Sequence, residues 1–334
     1  NFNILSHLEI LENRADQADP NIVFRKTKNT NGLANFRVGD IAVLYPAIAE
    51  TDTVLQHQII KCTITKLEND CVEIHLRFQQ HNLKPFETKG LWCLEPDMLD
   101  SGFVAMYRGL MEWAESGKAI REKVLCSKPE RMAPVVLTES DNLVDKILAS
   151  PDFFLLWGPP GTGKTSVMLR DIAARVLQES SENLLILAYT NRAVDEICDA
   201  LDSIGGNIRE QYVRIGGKHA SAERFRGQLL VSKIAGTGKR AELRQILERH
   251  RIFVSTVASF SQNEGLLKLK KFQRLVVDEA SQILEPQLIG LLTRFDHFTL
   301  IGDHRQLPAV TAQRPESTLV EDPDLNLIGL SDLR

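Results

Sequence analysis

The chain has 334 residues, of which 43% are hydrophobic and 25% charged, and its formal net charge is -4. These values fit a soluble globular chain of one or two domains and exclude one that meets polyanions through overall positive charge. No run of 18 apolar residues argues for a membrane-spanning helix. Five scattered cysteines without a CxxC argue against a zinc or iron–sulfur framework and fit reduced thiols in a cytoplasmic compartment, or a nuclear one in a eukaryote.

The sequence starts at Asn1 without a methionine or signal peptide, which reads as a processed or excised chain. Ile4, Leu5, Leu8 and Leu11 recur at helical spacing, so residues 1–35 read as an N-terminal helix followed by a polar linker. From Phe36 the period changes to two. FRVGDIAVLYP, HQIIKCTITKL, CVEIHLRF and KGLWCLEP read as short strands, with Glu68-Asn69-Asp70 turning the second into the third. They predict a small β-barrel over 36–97. Lys61, Lys66, Arg77, Lys84 and Lys89, with Phe36, Phe78 and Trp92, are residue types suited to a nucleic-acid strand, or equally to an ordinary barrel surface and core. Residues 98–130 read as a helical stalk, Met98–Trp113 and then Gly117–Leu125, closed by a linker at Pro129 and Pro134.

From residue 131 the texture is α/β. FFLLW (153–157), LLILAYT (184–190), IFVSTVASF (252–260), RLVVDEAS (274–281) and HFTLIGD (297–303) alternate with helical segments, which predicts a parallel sheet with helices on both faces. Each apolar run reads as a strand buried on both faces. Ligands in such sheets bind at the carboxyl ends of the strands, so the polar residues closing the runs are the candidates for chemistry.

Gly158-Pro159-Pro160-Gly161-Thr162-Gly163-Lys164-Thr165-Ser166 follows the first run and opens a helical pattern at Met168, Ile172 and Val176. Strand, glycine loop and helix in that order is the context of a phosphate-binding loop. The glycines turn the backbone amides toward phosphate oxygens, Lys164 reaches the β- and γ-phosphates, and Thr165 ligates Mg²⁺. Asp278 and Glu279 close Leu275-Val276-Val277; the first can hold Mg²⁺ and the second can orient and deprotonate water. Gln306 suits sensing of a γ-phosphate, and Asp303 the surroundings of the metal. Thr190 and Asn191 either donate to a backbone phosphate or cap the following helix, and Ser255 and Thr256 form a second such pair. Between residues 218 and 251, nine Lys and Arg oppose three Glu, a local balance of plus six that reads as an electrostatic footprint or as a solvated helix face. The Gly236–Lys239 stretch GTGK lacks the spacing of a second phosphate loop.

GPPGTGKT, AYTNRAVDEI, VSTVASF, VVDEASQI and GDHRQLPAV together resemble motifs I, Ia, the next strand-end motif, II and III of superfamily 1 helicases. The resemblance is to the 5′-to-3′ branch that includes the nonsense-decay and nuclease-helicase enzymes. It implies a first RecA-like domain over 131–334 with a basic insertion at 218–251, preceded by an inserted barrel and stalk. It also implies ATP and Mg²⁺ at Gly158–Ser166, Asp278 and Asp303, with Glu279, Lys164 and Gln306 catalytic. Single-stranded DNA or RNA would lie on Thr190, Asn191, Ser255 and Thr256. Two departures follow. Asp141 stands where the family carries an adenine-reading glutamine, and the sequence stops before motifs IV to VI, so a second RecA-like domain with the arginine finger is expected from elsewhere in the protein. The alternative reading is a nucleotide-controlled nucleic-acid-binding or scaffold module without turnover. A small-molecule kinase or GTPase fits less well, since no guanine-reading NKxD occurs.

Overall fold

The computed structural model describes residues 4–31, 34, 36–47, 54–87, 90–97, 101–125, 142–159, 161–263, 265–303 and 305–306. It divides into two compact units, Asn1–Leu99 and Asp100–Arg334.

The first unit is a closed antiparallel barrel. Its strands are β1 (Leu5–Arg14), β2 (Asn21–Lys26), β3 (Ile41–Ala47), β4 (Ile60–Leu67), β5 (Cys71–Leu76) and β6 (Leu91–Pro96), in the order β1-β2-β5-β4-β3-β6. Alternation builds its core: Ile22 and Phe24, Ala42 and Leu44, Cys62 and Ile64, Val72 and Ile74, and Trp92 and Leu94 all point inward. The Trp92 ring stacks on Phe86 at 5.3 Å. The turn at Glu68 is as expected, with the Glu68 amide bonded to the Cys71 carbonyl at 2.9 Å.

The N-terminal helix expected within 1–35 is a correction: Leu5–Arg14 is a strand. The register against β6 shifts between Leu5 and Leu8, where His7 takes a left-handed φ of 58°. A bulge of this kind adds one residue to the strand and turns an inward spacing of two into three. Leu5 and Leu8, both buried, therefore imitate a helix in sequence. Of the barrel aromatics named above, Trp92 and Phe36 are buried, whereas Phe78 is exposed with the Arg77 guanidinium 5.7 Å from its ring centroid; Lys61 pairs with Asp97 at 2.9 Å and Lys66 with Glu68 at 2.9 Å. Lys89 lies outside the described residues.

The second unit carries a six-stranded parallel sheet: β7 (Phe153–Trp157), β8 (Leu184–Ala188), β9 (Tyr212–Ile215), β10 (Ile252–Thr256), β11 (Arg274–Val277) and β12 (His297–Gly302), in the order β7-β12-β11-β8-β10-β9. This is the α/β, RecA-like arrangement. Leu184, Ile186 and Ala188 face one core layer, with the helices Arg170–Glu179 and Asn191–Asp202; Leu185 and Leu187 face the other, with Glu285–Leu292. Burial on both faces is why the central strands are continuous apolar runs. Strand β9 escapes that signature because its third residue is Arg214, fully buried and paired with Asp195. Strand β7 corrects the expectation of a doubly buried strand. It pairs with β12 alone, at the sheet edge, and leaves Leu155 and Trp157 exposed.

Helices Ser101–Glu115 and Lys118–Val124 belong to this second unit. Gly109 of the first lies against Gly290, where an added Cβ would come within 2.3 Å of the Gly109 Cα. Two glycines allow backbones to approach this closely, and the bidentate Arg294–Glu112 pair and the Lys123 ammonium on the Phe295 carbonyl (2.8 Å) brace the contact. Gly290→Ala is therefore expected to cost about 1–3 kcal/mol through overpacking. Gly265→Ala, with open space around the new methyl, serves as the neutral control. Chemical denaturation of the two variants checks the difference.

Candidate nucleotide-binding site

The phosphate loop leaves the end of β7, and its first amide, Gly158, donates to the Gly302 carbonyl of β12 at 3.1 Å. A Cβ at Gly158 would stand 2.7 Å from the Lys164 side chain, so Lys164 folds across that glycine and its ammonium donates to the Gly158 carbonyl. Gly161 and Gly163 have φ of 78° and 79°, a region L side chains rarely occupy. Thr162 turns back on Pro159, its hydroxyl donating to the carbonyl at 2.8 Å. Pro160 lies outside the described residues.

The helix then starts wide. The amides of Val167 and Met168 both reach the Gly163 carbonyl, at 2.9 and 3.1 Å, and Lys164–Leu169 forms a π-helical turn before Arg170–Glu179 continues as α-helix. The first amides of a helix lack intrahelical acceptors and carry partial positive charge, which suits an anion. Beside this start lies a cavity of about 480 Å³, lined by Gly161–Ser166 together with Glu196, Asp199, Ala200 and Ser203.

Two strand ends close on the loop. From β11, Asp278 accepts the Thr165 hydroxyl at 2.6 Å through Oδ2 and the Glu279 amide at 3.0 Å through Oδ1. Burial pushes the Asp278 carboxyl above the usual carboxylate range, opposed by the Thr165 bond. Glu279 follows with a left-handed φ of 53°, and burial and then the neighbouring Asp278 charge raise its carboxyl as well. From β12, Asp303 accepts the Trp157 indole N–H at 2.9 Å and the Arg305 amide at 3.0 Å, both on Oδ1, and these bonds lower its carboxyl. The Asp303 amide meets the Ser281 hydroxyl at 3.3 Å, and the Gln306 amide meets the Asp303 carbonyl at 3.1 Å. The donor set fits a magnesium nucleotide: a hydroxyl and a carboxylate converge as hard oxygen ligands beside a lysine and a glycine cradle in which a side chain at Gly158 would displace Lys164.

The expected strand-contacting residues divide. Thr190 caps helix Asn191–Asp202, accepting the Ala193 amide at 3.1 Å, and both Thr190 and Asn191 face solvent. Thr256 caps Val257–Ser261 and is nearly buried. Ser255, in β10, is wholly buried, and its hydroxyl lies within donating reach of the Thr256 carbonyl at 3.0 Å and the Ile215 carbonyl at 3.3 Å. Much of the basic stretch is also spent internally. Arg224 pairs with Asp199 and Arg249 with Glu210, and Arg251 donates to the Val176, Leu177, Ser180 and Glu182 carbonyls at the end of helix Arg170–Glu179. Trp157 joins the site from outside the motifs, and Ser281 and Glu196 join it from within VVDEASQI and AYTNRAVDEI, where the sequence reading assigns them no role. Asp141, His304, Leu307 and Pro308 lie outside the described residues.

A family profile described as AAA domain matches residues 138–237 and 229–314, more than half of the sequence. The chain belongs to this family, a helicase module of superfamily 1. Among curated relatives, the DNA replication ATP-dependent helicase/nuclease JHS1 of Arabidopsis thaliana is 29% identical over 236 residues, covering 65% of this chain and 17% of that protein. The DNA replication ATP-dependent helicase/nuclease DNA2 of Homo sapiens is 30% identical over 196 residues, covering 58% of this chain and 17% of that protein. The chain thus spans 17% of the length of these two relatives. Among solved structures, arterivirus nonstructural protein 10 (helicase) with DNA overlaps at 14% identity and a TM-score of 0.38, over 85% of this chain and 50% of that one, too slight a likeness to carry function.

The two hydroxyl pairs give a direct comparison. Thr190→Ala is expected to lower stability by about 1 kcal/mol through loss of the helix cap. It should also weaken single-strand binding, whereas Ser255→Ala leaves strand binding unchanged. Denaturation curves and anisotropy of a labelled oligonucleotide check both.

Proposed function

We propose that the chain is the ATP-binding half of a helicase motor, coupling ATP hydrolysis to 5′-to-3′ movement along single-stranded DNA or RNA. The observation that carries the reading is the meeting of Thr165 and Asp278 at 2.6 Å beside the loop crossed by Lys164. A hydroxyl, a buried carboxylate and a lysine placed this way have a shared use in holding a nucleoside triphosphate with its metal.

In this reading the amides and side chains of Gly158–Ser166 bind the phosphate chain, and Lys164 exchanges the Gly158 carbonyl for the β- and γ-phosphates. Thr165 and Asp278 would hold Mg²⁺, which supplies charge neutralisation at the phosphates. Glu279, whose carboxyl is raised by burial and by Asp278, orients the attacking water and takes its proton. Asp303 and Gln306 read the γ-phosphate end from β12. The transferring phosphoryl group gathers negative charge, and this domain neutralises it from one side only. A second RecA-like domain from the rest of the protein supplies the arginine for the other side, together with the other half of the strand groove. Thr190 and Asn191 are the contacts this domain offers to a phosphate backbone at the start of their helix.

The scaffold reading without turnover shares the nucleotide site and differs in Glu279, which would then have no water to activate. Binding itself is tested first. Lys164→Ala is expected to weaken a fluorescent ATP analogue by about 1.5–3 kcal/mol, the worth of a charge-assisted bond. Equal affinities for the two proteins would place the nucleotide elsewhere.

A further inference from the structure

Trp157 has no part in the phosphate-loop pattern and no buried role. It ends an edge strand and is 51% exposed, a large ring that core packing does not account for. Two of its contacts run to the turn that follows β12. The indole N–H donates to Asp303 Oδ1 at 2.9 Å, and the Arg305 guanidinium lies over the ring at 5.1 Å from its centroid. The same carboxylate oxygen accepts the Arg305 amide at 3.0 Å, and the Gln306 side chain donates to that carboxylate as well. One residue further on, the Gly158 amide bonds to the Gly302 carbonyl at 3.1 Å, so the first residue of the loop is tied to the last residue of β12.

We infer that Trp157 is a positioning residue for Gln306, with its indole N–H and its ring holding the turn after β12 against the phosphate loop. Asp303 is the pivot. It is 4% exposed, so its carboxylate depends on protein donors, and Trp157 supplies the one that comes from the loop's own strand. Remove that donor and the carboxylate is held from its own turn alone by the Arg305 amide and the Gln306 side chain, and its tie to the strand that leads into the loop is lost. A bound phosphate chain presses on Gly158 and the residues after it, and Trp157 precedes Gly158 directly. A shift there reaches Gln306 through two bonds, Trp157 to Asp303 and Asp303 to Gln306. The bonds from Trp157 to Asp303 and from Asp303 to Gln306 lead to the γ-phosphate end, so the effect of Trp157 is expected there rather than on the rest of the nucleotide. The inference rests on the reading of Gly158–Ser166 as the ATP site.

The test compares ADP with a non-hydrolysable ATP analogue, both with Mg²⁺, on the whole chain. W157F keeps a ring for Arg305 and removes the indole N–H. It is expected to bind ADP within about twofold of the wild type and the ATP analogue about three- to tenfold more weakly, the span of one lost hydrogen bond. Its melting temperature should stay unchanged. R305A, which removes the cation from the ring, is expected to shift the same ratio by about two- to fivefold. If W157F loses ADP and the analogue equally, or loses neither, Trp157 does not position Gln306 and the inference is overturned while the ATP site stands. If the wild type binds neither nucleotide, the site reading fails and the inference fails with it.

Discussion

The structure of the candidate site depends on one adjacency, β7 beside β12 beside β11 in a parallel sheet. It brings Thr165 and Asp278, 113 positions apart, into a 2.6 Å hydrogen bond. Parallel strands all finish at the same edge, so a glycine loop, a buried carboxylate and a polar turn that lie far apart in sequence arrive at one rim. The Gly158 to Gly302 bond sets the spacing of that rim, and Trp157, Asp303 and Ser281 extend it from the loop across to the turn after β11. The doubly buried strands β8 and β11 make the platform rigid enough to hold it. Their apolar residues on both faces leave no other packing for the chain to adopt.

The charges at this rim are arranged at a cost to folding. Asp278 is almost wholly buried, and both it and Glu279 are pushed toward the protonated form by desolvation. A carboxylate so placed is stabilised by a cation, and the only lysine among the loop residues is Lys164. The hydrogen bonds that Asp278 accepts come from neutral donors, the Thr165 hydroxyl and the Glu279 amide; a metal-bound triphosphate would add the balancing charge, with the loop amides and Lys164 taking the phosphates and Thr165 and Asp278 the metal. The backbone turns left-handed at Glu279, directly after Asp278, where β11 has ended.

What the sequence made legible follows from where its periodicity is undisturbed. The loop glycines were readable because φ near 78° at Gly161 and Gly163 leaves few other residues available. The central strands were readable because burial on two faces writes an unbroken apolar run. The first strand was misread as a helix because a bulge at His7 moves Leu5 and Leu8 to a spacing of three. Strand β9 was missed because an ion pair, Arg214 with Asp195, occupies its interior. The burial of Ser255 is not legible, because a hydroxyl at a strand end reads the same in sequence whether it is exposed or buried. The basic stretch overstated its free charge, since sequence counts arginines and not the carboxylates and carbonyls, such as those around Arg251, that the fold brings to them. Trp157 gave no signal, because its value lies in a contact with Asp303, 146 positions away.

The proposal that this chain is one half of a motor, binding its nucleotide and barely turning it over, is tested most directly by turnover. Steady-state phosphate release from this chain should be compared with release from a longer chain that includes the proposed second RecA-like domain, each with and without a single-stranded oligonucleotide. The account predicts that the short chain is slower by about 10³-fold or more, the worth of an arginine supplied from across the cleft, and that the oligonucleotide stimulates only the long one. Equal turnover by the two chains would contradict it and would place the whole of the phosphoryl-transfer machinery on this domain.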